Sequence, residues 1–211
     1  MDSIRVLVAD DHPPITRSLQ QDLKMFGIDE VQATTDGTAV LSMYTALKPD
    51  VLVLDLRIGA IRGLDVARQV LAMDRNARIV FYSQFDQPHI VREAYRLGGK
   101  AFLPKSAPLE IVAEAITAAK AGNTYLHPEI AKQIALLTVR GEESPADKLD
   151  ERELKVFKLM AKGLTNEEIA VELNLHPKTI GIITKAVRES LGVQRPADIT
   201  RLALKYELID D

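Results

Sequence analysis

Several kinds of residue and segment are missing from this chain of 211 residues, and each absence removes a class of function. There are no cysteines, so disulfide bonds, thiolate catalysis and zinc sites built from cysteine are excluded. No apolar run approaches the roughly 18 residues that a membrane-spanning helix needs. The first residues lead into a predicted strand without the layout of a signal peptide. These absences fit the reducing cytoplasm, which is where we expect the protein.

A large excess of charge is also missing. The net charge is −3, with 46% apolar and 27% charged residues, as in soluble globular proteins. Residues 149–211 contain 10 Lys and Arg against 11 Asp and Glu, a net of −1. Any nucleic-acid contact in that region must therefore come from a local arrangement of cations, because bulk attraction is absent.

The first 122 residues alternate between short apolar runs and amphipathic segments with helical spacing. The apolar runs are rich in β-branched residues and are typical of strands buried on both faces; they cover residues 4–9, 31–33, 51–54, 78–82 and 101–103. Five strands alternating with five helices predict right-handed crossovers and a doubly wound parallel sheet. The small size favours the flavodoxin-like strand order 2-1-3-4-5.

The remainder divides into a linker and a helical tail. We expect a linker at residues 123–148, with one helix over 128–139 and then an exposed polar stretch containing Gly, Ser and Pro. Capping residues or prolines mark four helix starts in residues 149–211, at Asp150, Thr165, Pro177 and Pro196. Among them a short helix, a tight turn and a longer helix have the layout of a helix-turn-helix.

Polar side chains stand at the carboxyl ends of four of the predicted strands. Asp10 and Asp11 follow the first strand, Asp55 ends the third, Ser83 ends the fourth and Lys105 follows the fifth. Because the strands are parallel, these residues meet at one rim of the sheet. Three carboxylates this close share a proton or hold a cation, and oxygen donors favour Mg²⁺.

The combination of metal, ammonium, hydroxyl and carboxylate suits a transferring phosphoryl group. The metal and Lys105 would neutralise the equatorial oxygens, Ser83 would donate a hydrogen bond, and Asp55 would be the nucleophile. Taken singly, a strand-end Asp is usually a helix cap, an Asp pair a turn and a lysine a solvated cation. Five such residues on one rim are hard to explain in that way.

Residues 1–122 resemble the receiver domain of bacterial two-component response regulators. The order and spacing of four motifs carry the resemblance: Val8–His12, Leu54–Leu56 with Gly63, Tyr82–Ser83 and Phe102–Lys105. The resemblance implies that Asp55 accepts phosphate from a sensor histidine kinase. It makes Ser83 and Phe102 the switch pair and Lys105 the phosphate-sensing cation. It implies no enzyme activity beyond self-phosphorylation and hydrolysis of the protein's own aspartyl phosphate.

The same resemblance supplies a set of metal ligands. Asp11, Asp55 and the backbone carbonyl of Arg57 would bind Mg²⁺ directly, and Asp10 would bind it through water. One residue departs from the family pattern, because Gly59 stands where a proline is usual. We expect glycine to loosen this loop and weaken metal binding, and a Gly59→Pro change to raise the affinity for Mg²⁺.

Residues 149–208 resemble the LuxR-type helix-turn-helix of the NarL/FixJ class. The matching positions include Glu151–Glu153, Gly163, Asn166–Ala170, Thr179–Ile180 and Leu191–Val193. The resemblance implies a four-helix DNA-binding module whose third helix, Pro177–Ser190, enters the major groove. The last helix would join two copies over paired half-sites, so a homodimer is expected when the protein is phosphorylated.

The tail also departs from its family. Gly181 and Ser190 replace common cations and Ile183 replaces a common histidine, and lost cations weaken phosphate contacts. The remaining candidates for DNA contact are Thr165, Asn166, Lys178, Thr179, Ile182, Lys185 and Arg188. Lys185 is the candidate for a guanine edge and Ile182 for thymine methyl groups. Ile183 is either a core residue or an apolar patch for a partner.

We therefore predict a phosphorylation-dependent transcriptional regulator in which phosphorylation shifts a pre-existing equilibrium. One alternative is a receiver-controlled adaptor whose tail binds protein, for which Gly181 and Ile183 are the arguments. A second is a phosphatase with an aspartyl-phosphate intermediate, which would need an Asp-x-Asp motif that Asp10-Asp11-His12 does not supply. A third is a flavin-binding protein, which would need a Ser/Thr/Gly-rich phosphate loop after the first strand, and the sequence lacks such a loop there.

Overall fold

The computed structural model describes residues 3–84, 87–140, 143–206 and 208–209, without the side chains of residues 137, 138 and 140. The chain forms two compact units, residues 1–135 and 136–211, and each is described by itself. Among the described helices, none is long and apolar enough to cross a membrane.

The first unit is built on a six-stranded parallel sheet and a small hairpin. The strands are β1 (Arg5–Ala9), β2 (Glu30–Thr34), β3 (Val51–Leu54), β4 (Arg57–Ile58), β5 (Ile61–Arg62), β6 (Ile79–Ser83), β7 (Ala101–Pro104) and β8 (Tyr125–Leu126). The large sheet has the order β2-β1-β3-β6-β7-β8, and β4 pairs with β5 antiparallel. The predicted order 2-1-3-4-5 is confirmed, and β8 adds an edge strand that was not predicted.

Helices cover both faces of this sheet. They are α1 (Pro13–Asp22), α2 (Val40–Leu47), α3 (Gly63–Met73), α4 (Pro88–Arg96), α5 (Leu109–Lys120) and α6 (Pro128–Arg140). Successive strand residues point to opposite faces, so Leu52 and Phe81 pack in one core cluster and Val53 and Val80 in the other. Burial on both faces explains why the strand sequences are continuous apolar runs.

The end of the first helix differs from its prediction. In the sequence, Leu23 and Phe26 continue the helical spacing of Ile15 and Leu19, which predicts one buried face for all four. In the structure α1 ends at Asp22, and Leu23–Phe26 form a 3₁₀ turn. The tighter winding changes the direction of successive side chains. Leu23 is therefore buried, whereas Phe26 is 38% exposed.

The second unit is helical. Its helices are α7 (Pro145–Lys148), α8 (Glu151–Ala161), α9 (Asn166–Glu172), α10 (Pro177–Leu191) and α11 (Pro196–Lys205). The last four are the four predicted helices, with capping boxes at Asp150 and Thr165. The turn between α9 and α10 contains Asn174 at φ +49°, a conformation that asparagine tolerates better than most residues.

Two expectations about this unit are settled by burial. The polar stretch before Leu149 was predicted to be exposed, but α7 forms there and buries Ser144 and Pro145; residues 141 and 142 lie outside the described residues. Ile183 packs against the core cluster that contains Phe157 and Ile180. Ile183 is partly buried there, which favours a packing role over an exposed apolar patch.

Candidate functional site

The strand register brings the predicted polar residues to one rim of the sheet. Ala9 pairs with Leu54, and Ser83 pairs with Pro104, so β1, β3, β6 and β7 end side by side. Asp55 lies directly after β3 and is 3% exposed. The sequence predicted this convergence because parallel strands share the direction in which they end.

Both oxygens of the Asp55 carboxylate have partners. Ser83 Oγ donates a hydrogen bond to Asp55 Oδ1 at 2.6 Å. Lys105 Nζ lies 2.6 Å from Asp55 Oδ2 and 2.8 Å from Asp10 Oδ2. Burial alone lowers the pKa of Lys105, but the hydrogen bonds and charges of Asp10 and Asp55 outweigh burial and raise it. Lys105 is therefore held as an ammonium between two carboxylates.

A second group of contacts surrounds Asp11. His12 donates its backbone N–H to Asp10 Oδ1 at 2.9 Å, and its ring Nδ1 lies 2.8 Å from Asp11 Oδ1. No role for His12 was predicted from the sequence, where its only signal is its place directly after the acidic pair. One donor atom from each of Asp10, Asp11, His12 and Asp55 lies within 4.8 Å of the others.

These donors fit a small divalent cation. Three of the four are carboxylates, and Asp11 Oδ1 is buried without a hydrogen bond of acceptable geometry. Buried carboxylate oxygens without such partners are costly unless a cation or proton reaches them. The carboxylate oxygens of Asp10, Asp11 and Asp55 could therefore hold a metal ion.

The loop after Asp55 is a hairpin and is tied to this cluster. Gly59 has φ +62° in the two-residue turn between β4 and β5, and its N–H donates to Asp11 Oδ2 at 2.9 Å. A proline has no N–H and fixes φ near −65°. A proline at this position could not donate to Asp11, which argues against the expectation that Gly59 loosens the loop. The effect of Gly59 on Mg²⁺ binding stays a prediction. Arg57, whose carbonyl is an expected metal ligand, lies in β4.

Gly63 lets the next helix approach the acidic strand. A Cβ atom built at Gly63 would lie 2.0 Å from the carbonyl oxygen of Asp55. The N–H of Gly63 also donates to the carbonyl of Leu56 at 2.7 Å. The glycine therefore allows α3 to start directly against the backbone of the acidic residue.

Phe102 lies inside the core beside the rim. Its ring is fully buried and stacks on Phe81 with the centroids 6.2 Å apart. Its backbone N–H donates to Tyr95 Oη at 3.1 Å, and Tyr95 Oη donates to the carbonyl of Tyr125 at 3.0 Å. Sequence reasoning missed Tyr95, because nothing in its spacing predicts a hydroxyl between two strands.

The predicted exposed face of α10 is present. Lys178, Ile182 and Lys185 are exposed, and Ile182 is 65% exposed. Arg188 Nη1 instead donates to the carbonyl of Gln194 at 3.0 Å, which holds the loop after α10. Arg188 therefore has a structural contact in addition to its predicted contact with DNA.

The starts of α9 and α10 carry the other candidates. Thr165 Oγ1 accepts the N–H of Glu168 at 3.3 Å and caps α9. His176 Nδ1 accepts the N–H of Lys178 at 3.2 Å and caps α10, whose first turn contains Thr179. An open cleft of about 400 Å³ is lined by Asn166, Thr184, Lys185, Arg188, Glu189 and Gln194. Polar and charged side chains therefore border the outer surface of the helix pair.

Comparison with known families covers most of the chain. Residues 6–117 match the family described as "Response regulator receiver domain", and residues 147–203 match "Bacterial regulatory proteins, luxR family". The first match alone spans more than half of the chain.

Individual relatives are similar over nearly their whole length. The chain is 28% identical to the response regulator GacA of Pseudomonas aeruginosa, over 98% of each chain. It is 29% identical to the response regulator UvrY of Escherichia coli O6:H1, over 97% of this chain and 95% of that one. The structure of RcsB from Salmonella enterica serovar Typhimurium, bound to a promoter with a beryllofluoride phosphomimetic, matches its fold. The TM-score is 0.64 at 21% identity, over 95% of this chain and 98% of that one.

Proposed function

The chain belongs to the two-component response regulators that join a receiver domain to a LuxR-type helix-turn-helix, and from this membership we propose that Asp55 accepts a phosphoryl group from a sensor histidine kinase. Members of this family are transcriptional regulators that bind DNA. The single observation that carries the assignment of Asp55 is its carboxylate, which is buried and lies 2.6 Å from both a hydroxyl and an ammonium.

The transfer uses these contacts in a defined way. An oxygen of Asp55 attacks the phosphorus of the phosphohistidine, and the bond from phosphorus to the histidine nitrogen breaks with its electron pair leaving on nitrogen. Ser83 Oγ and Lys105 Nζ, which now contact the carboxylate, then donate to oxygens of the phosphoryl group. The same arrangement would serve self-phosphorylation by a small phosphodonor, and hydrolysis of the aspartyl phosphate by water.

We assign a Mg²⁺ site to Asp11, Asp55 and the Arg57 carbonyl, with Asp10 bound through water. When bound, Mg²⁺ supplies positive charge against the oxygens of the phosphoryl group. Asp10 also contacts Lys105 at 2.8 Å, so this carboxylate links the cation site to the phosphate-sensing lysine.

The switch consists of Ser83 and Phe102. Ser83 would exchange its hydrogen bond to Asp55 for one to the phosphoryl group, and the ring of Phe102, which already lies inside the core, would repack in response. Tyr95 connects the Phe102 N–H to the carbonyl of Tyr125 in β8, so a change at Phe102 affects both α4 and the edge of the sheet. Packed interiors respond to such a change by adopting a second arrangement.

The tail binds paired half-sites in DNA as a homodimer. Lys178, Ile182 and Lys185 share the exposed face of α10, and this face would enter the major groove, with Thr165, Asn166, Thr179 and Arg188 at its border. Packing of the partly buried Ile183 against the core weakens one argument for the alternative of a protein-binding adaptor. Two arguments for the adaptor remain, namely the net charge of −1 in residues 149–211 and the absence of a cation at Gly181.

The first experiment selects bound sequences from a random DNA pool, with and without Mg²⁺ plus beryllofluoride. We expect an enriched pair of half-sites that binds more strongly with the phosphoryl mimic. Asp55→Asn is the matched control and should not respond to the mimic. No enrichment from folded protein that still binds the mimic would contradict DNA binding and favour the adaptor.

A second experiment separates base reading from phosphate contact at Lys185. We expect Lys185→Ala to weaken the selected site by about 1–3 kcal/mol while affecting random DNA much less, because only a contact with a base edge discriminates sequence. Lys155→Ala removes the same charge from an exposed position of α8 and is the control. An equal loss on both DNAs would make Lys185 a phosphate contact.

A further inference from the structure

We propose that Gly59 is a positioning residue for the cation site, and that its backbone amide orients the carboxylate of Asp11 for Mg²⁺. This inference rests on the metal assignment proposed above. The amide donates to Asp11 Oδ2 at 2.9 Å, which uses one oxygen of the carboxylate. The other oxygen, Oδ1, is buried and lies 2.8 Å from the ring Nδ1 of His12 without a well-aligned hydrogen bond, so the cation would bind it in place of this imidazole contact.

The position of this amide is set by the hairpin. Gly59 has φ +62° at the first of two turn residues, a conformation that glycine adopts without strain. Ile58 next to it is 2% exposed and packs in the core. A Cβ atom built at Gly37 would lie 3.1 Å from the carbonyl oxygen of Ile58 and 3.1 Å from the side chain of Ile61. The hairpin therefore packs closely against the backbone at Gly37. Packing on two sides therefore holds the hairpin in place.

The hairpin carries two of the groups that the cation needs. Gly59 holds Asp11, and Arg57 in β4 supplies the expected carbonyl ligand from the same two-stranded unit. Groups that are held in their binding orientation beforehand lose less conformational freedom when the ligand arrives. The amide of Gly59 therefore strengthens Mg²⁺ binding, although it does not touch the ion.

Two substitutions at Gly59 separate the amide from other effects. Gly59→Asn keeps the N–H, and asparagine tolerates a positive φ. Gly59→Pro removes the N–H and fixes φ near −65°. In calorimetric titrations of the full chain with MgCl₂, we expect Gly59→Asn to bind within about twofold of the wild type. We expect Gly59→Pro to bind about tenfold more weakly, because a hydrogen bond to a charged group is lost.

The outcomes distinguish this inference from the metal assignment. Equal Mg²⁺ binding by the wild type and Gly59→Pro would overturn the role of Gly59 and leave the metal assignment intact. A wild type that binds no Mg²⁺ would overturn both.

A second measurement avoids proline, which can also disturb the hairpin. We expect the Gly59 amide to exchange its hydrogen slowly in the metal-free chain, and about tenfold or more faster in Asp11→Ala, because its acceptor is gone. Asp65→Ala is the control, since Asp65 is an exposed carboxylate that contacts Arg68 and not Gly59, and it should leave the Gly59 exchange rate unchanged. Unchanged Gly59 exchange in Asp11→Ala would overturn the proposal without reference to any metal.

Discussion

Gly63 and Gly181 both lie in helices, but only Gly63 is required by close packing. A side chain at Gly63 would collide with the backbone of Asp55, whereas a Cβ at Gly181 would meet only Asn166 Nδ2, at 4.0 Å. Substitution by alanine should therefore act in opposite directions at the two positions.

Gly63→Ala should destabilise the first unit by about 3 kcal/mol, because backbone atoms cannot move aside as a side chain can. Urea denaturation of the purified chain measures the loss. Ala60→Ser, in the exposed turn of the neighbouring hairpin, is the control and should have little effect. Unchanged stability of Gly63→Ala would mean that α3 shifts freely away from the acidic strand.

Gly181→Ala should stabilise the second unit by about 0.5–1 kcal/mol, because alanine loses less conformational entropy in a helix than glycine. Thermal denaturation followed by circular dichroism measures the change. Gly192→Ala is the contrasting control: Gly192 ends α10 at φ +65°, so alanine there should destabilise. A loss of stability in Gly181→Ala would contradict the open space beside this residue.

The sequence predicted the rim residues well and their mutual contacts poorly. Asp55, Ser83 and Lys105 were located because each follows or ends an apolar run, and parallel strands bring such positions together. The ring of His12, the hydroxyl of Tyr95 and the amide of Gly59 were missed. Tyr95 and Gly59 make contacts between segments that are distant in the chain, and the ring of His12 contacts its neighbours Asp10 and Asp11. Neither residue spacing nor hydrophobic period encodes such contacts.

At the scale of single elements, capping signals were the most informative. Asp150 accepts the N–H of Glu153 at 2.8 Å, and Glu153 Oε2 accepts the N–H of Asp150 at 3.0 Å. This reciprocal pair fixes where α8 begins, and the sequence showed it directly. In contrast, the 3₁₀ turn after α1 was not predicted, because four residues are too few to separate a period of 3.0 from one of 3.6.

Asp150→Ala should lower the stability of the second unit by about 1 kcal/mol, because the first turn of α8 loses its acceptor. Chemical denaturation of the full chain, followed at the transition of this unit, measures the change. Asp150→Asn keeps a capping oxygen and should retain most of the stability. If both variants lose the same amount, the charge of Asp150 matters and its hydrogen bond does not.

At the scale of the whole molecule, the chain divides into two compact units, the first with a core cluster on each face of its sheet and the second with a cluster of its own. Residues 1–135 and 136–211 form separate compact units, and the core clusters do not share residues. From the sequence we expected domains at 1–122 and 149–211 with a linker between them, and we propose these limits for the functional modules. The division between the compact units falls within α6, whose helical period gives no sign of a boundary.

Two compact units predict two unfolding transitions in calorimetry of the full chain. Mg²⁺ with beryllofluoride should raise the melting temperature of the first unit only. At a ligand concentration 100 times the dissociation constant, the free energy of unfolding of that unit should rise by about 2.7 kcal/mol. Asp55→Asn should abolish the shift and keep both transitions. A ligand-induced shift of equal size in both transitions would show that the units unfold together.

The contact between Gly59 and Asp11 also has a consequence for sequence divergence. Its donor belongs to the backbone, so no particular side chain is needed, and any residue that adopts the left-handed conformation with an N–H preserves it. Drift at this position can therefore change the residue type while the contact with Asp11 persists. In proteins that descend from this chain, the backbone conformation at position 59 would be conserved while the residue type varies. A sequence alignment would therefore show a variable position where the structures share a contact.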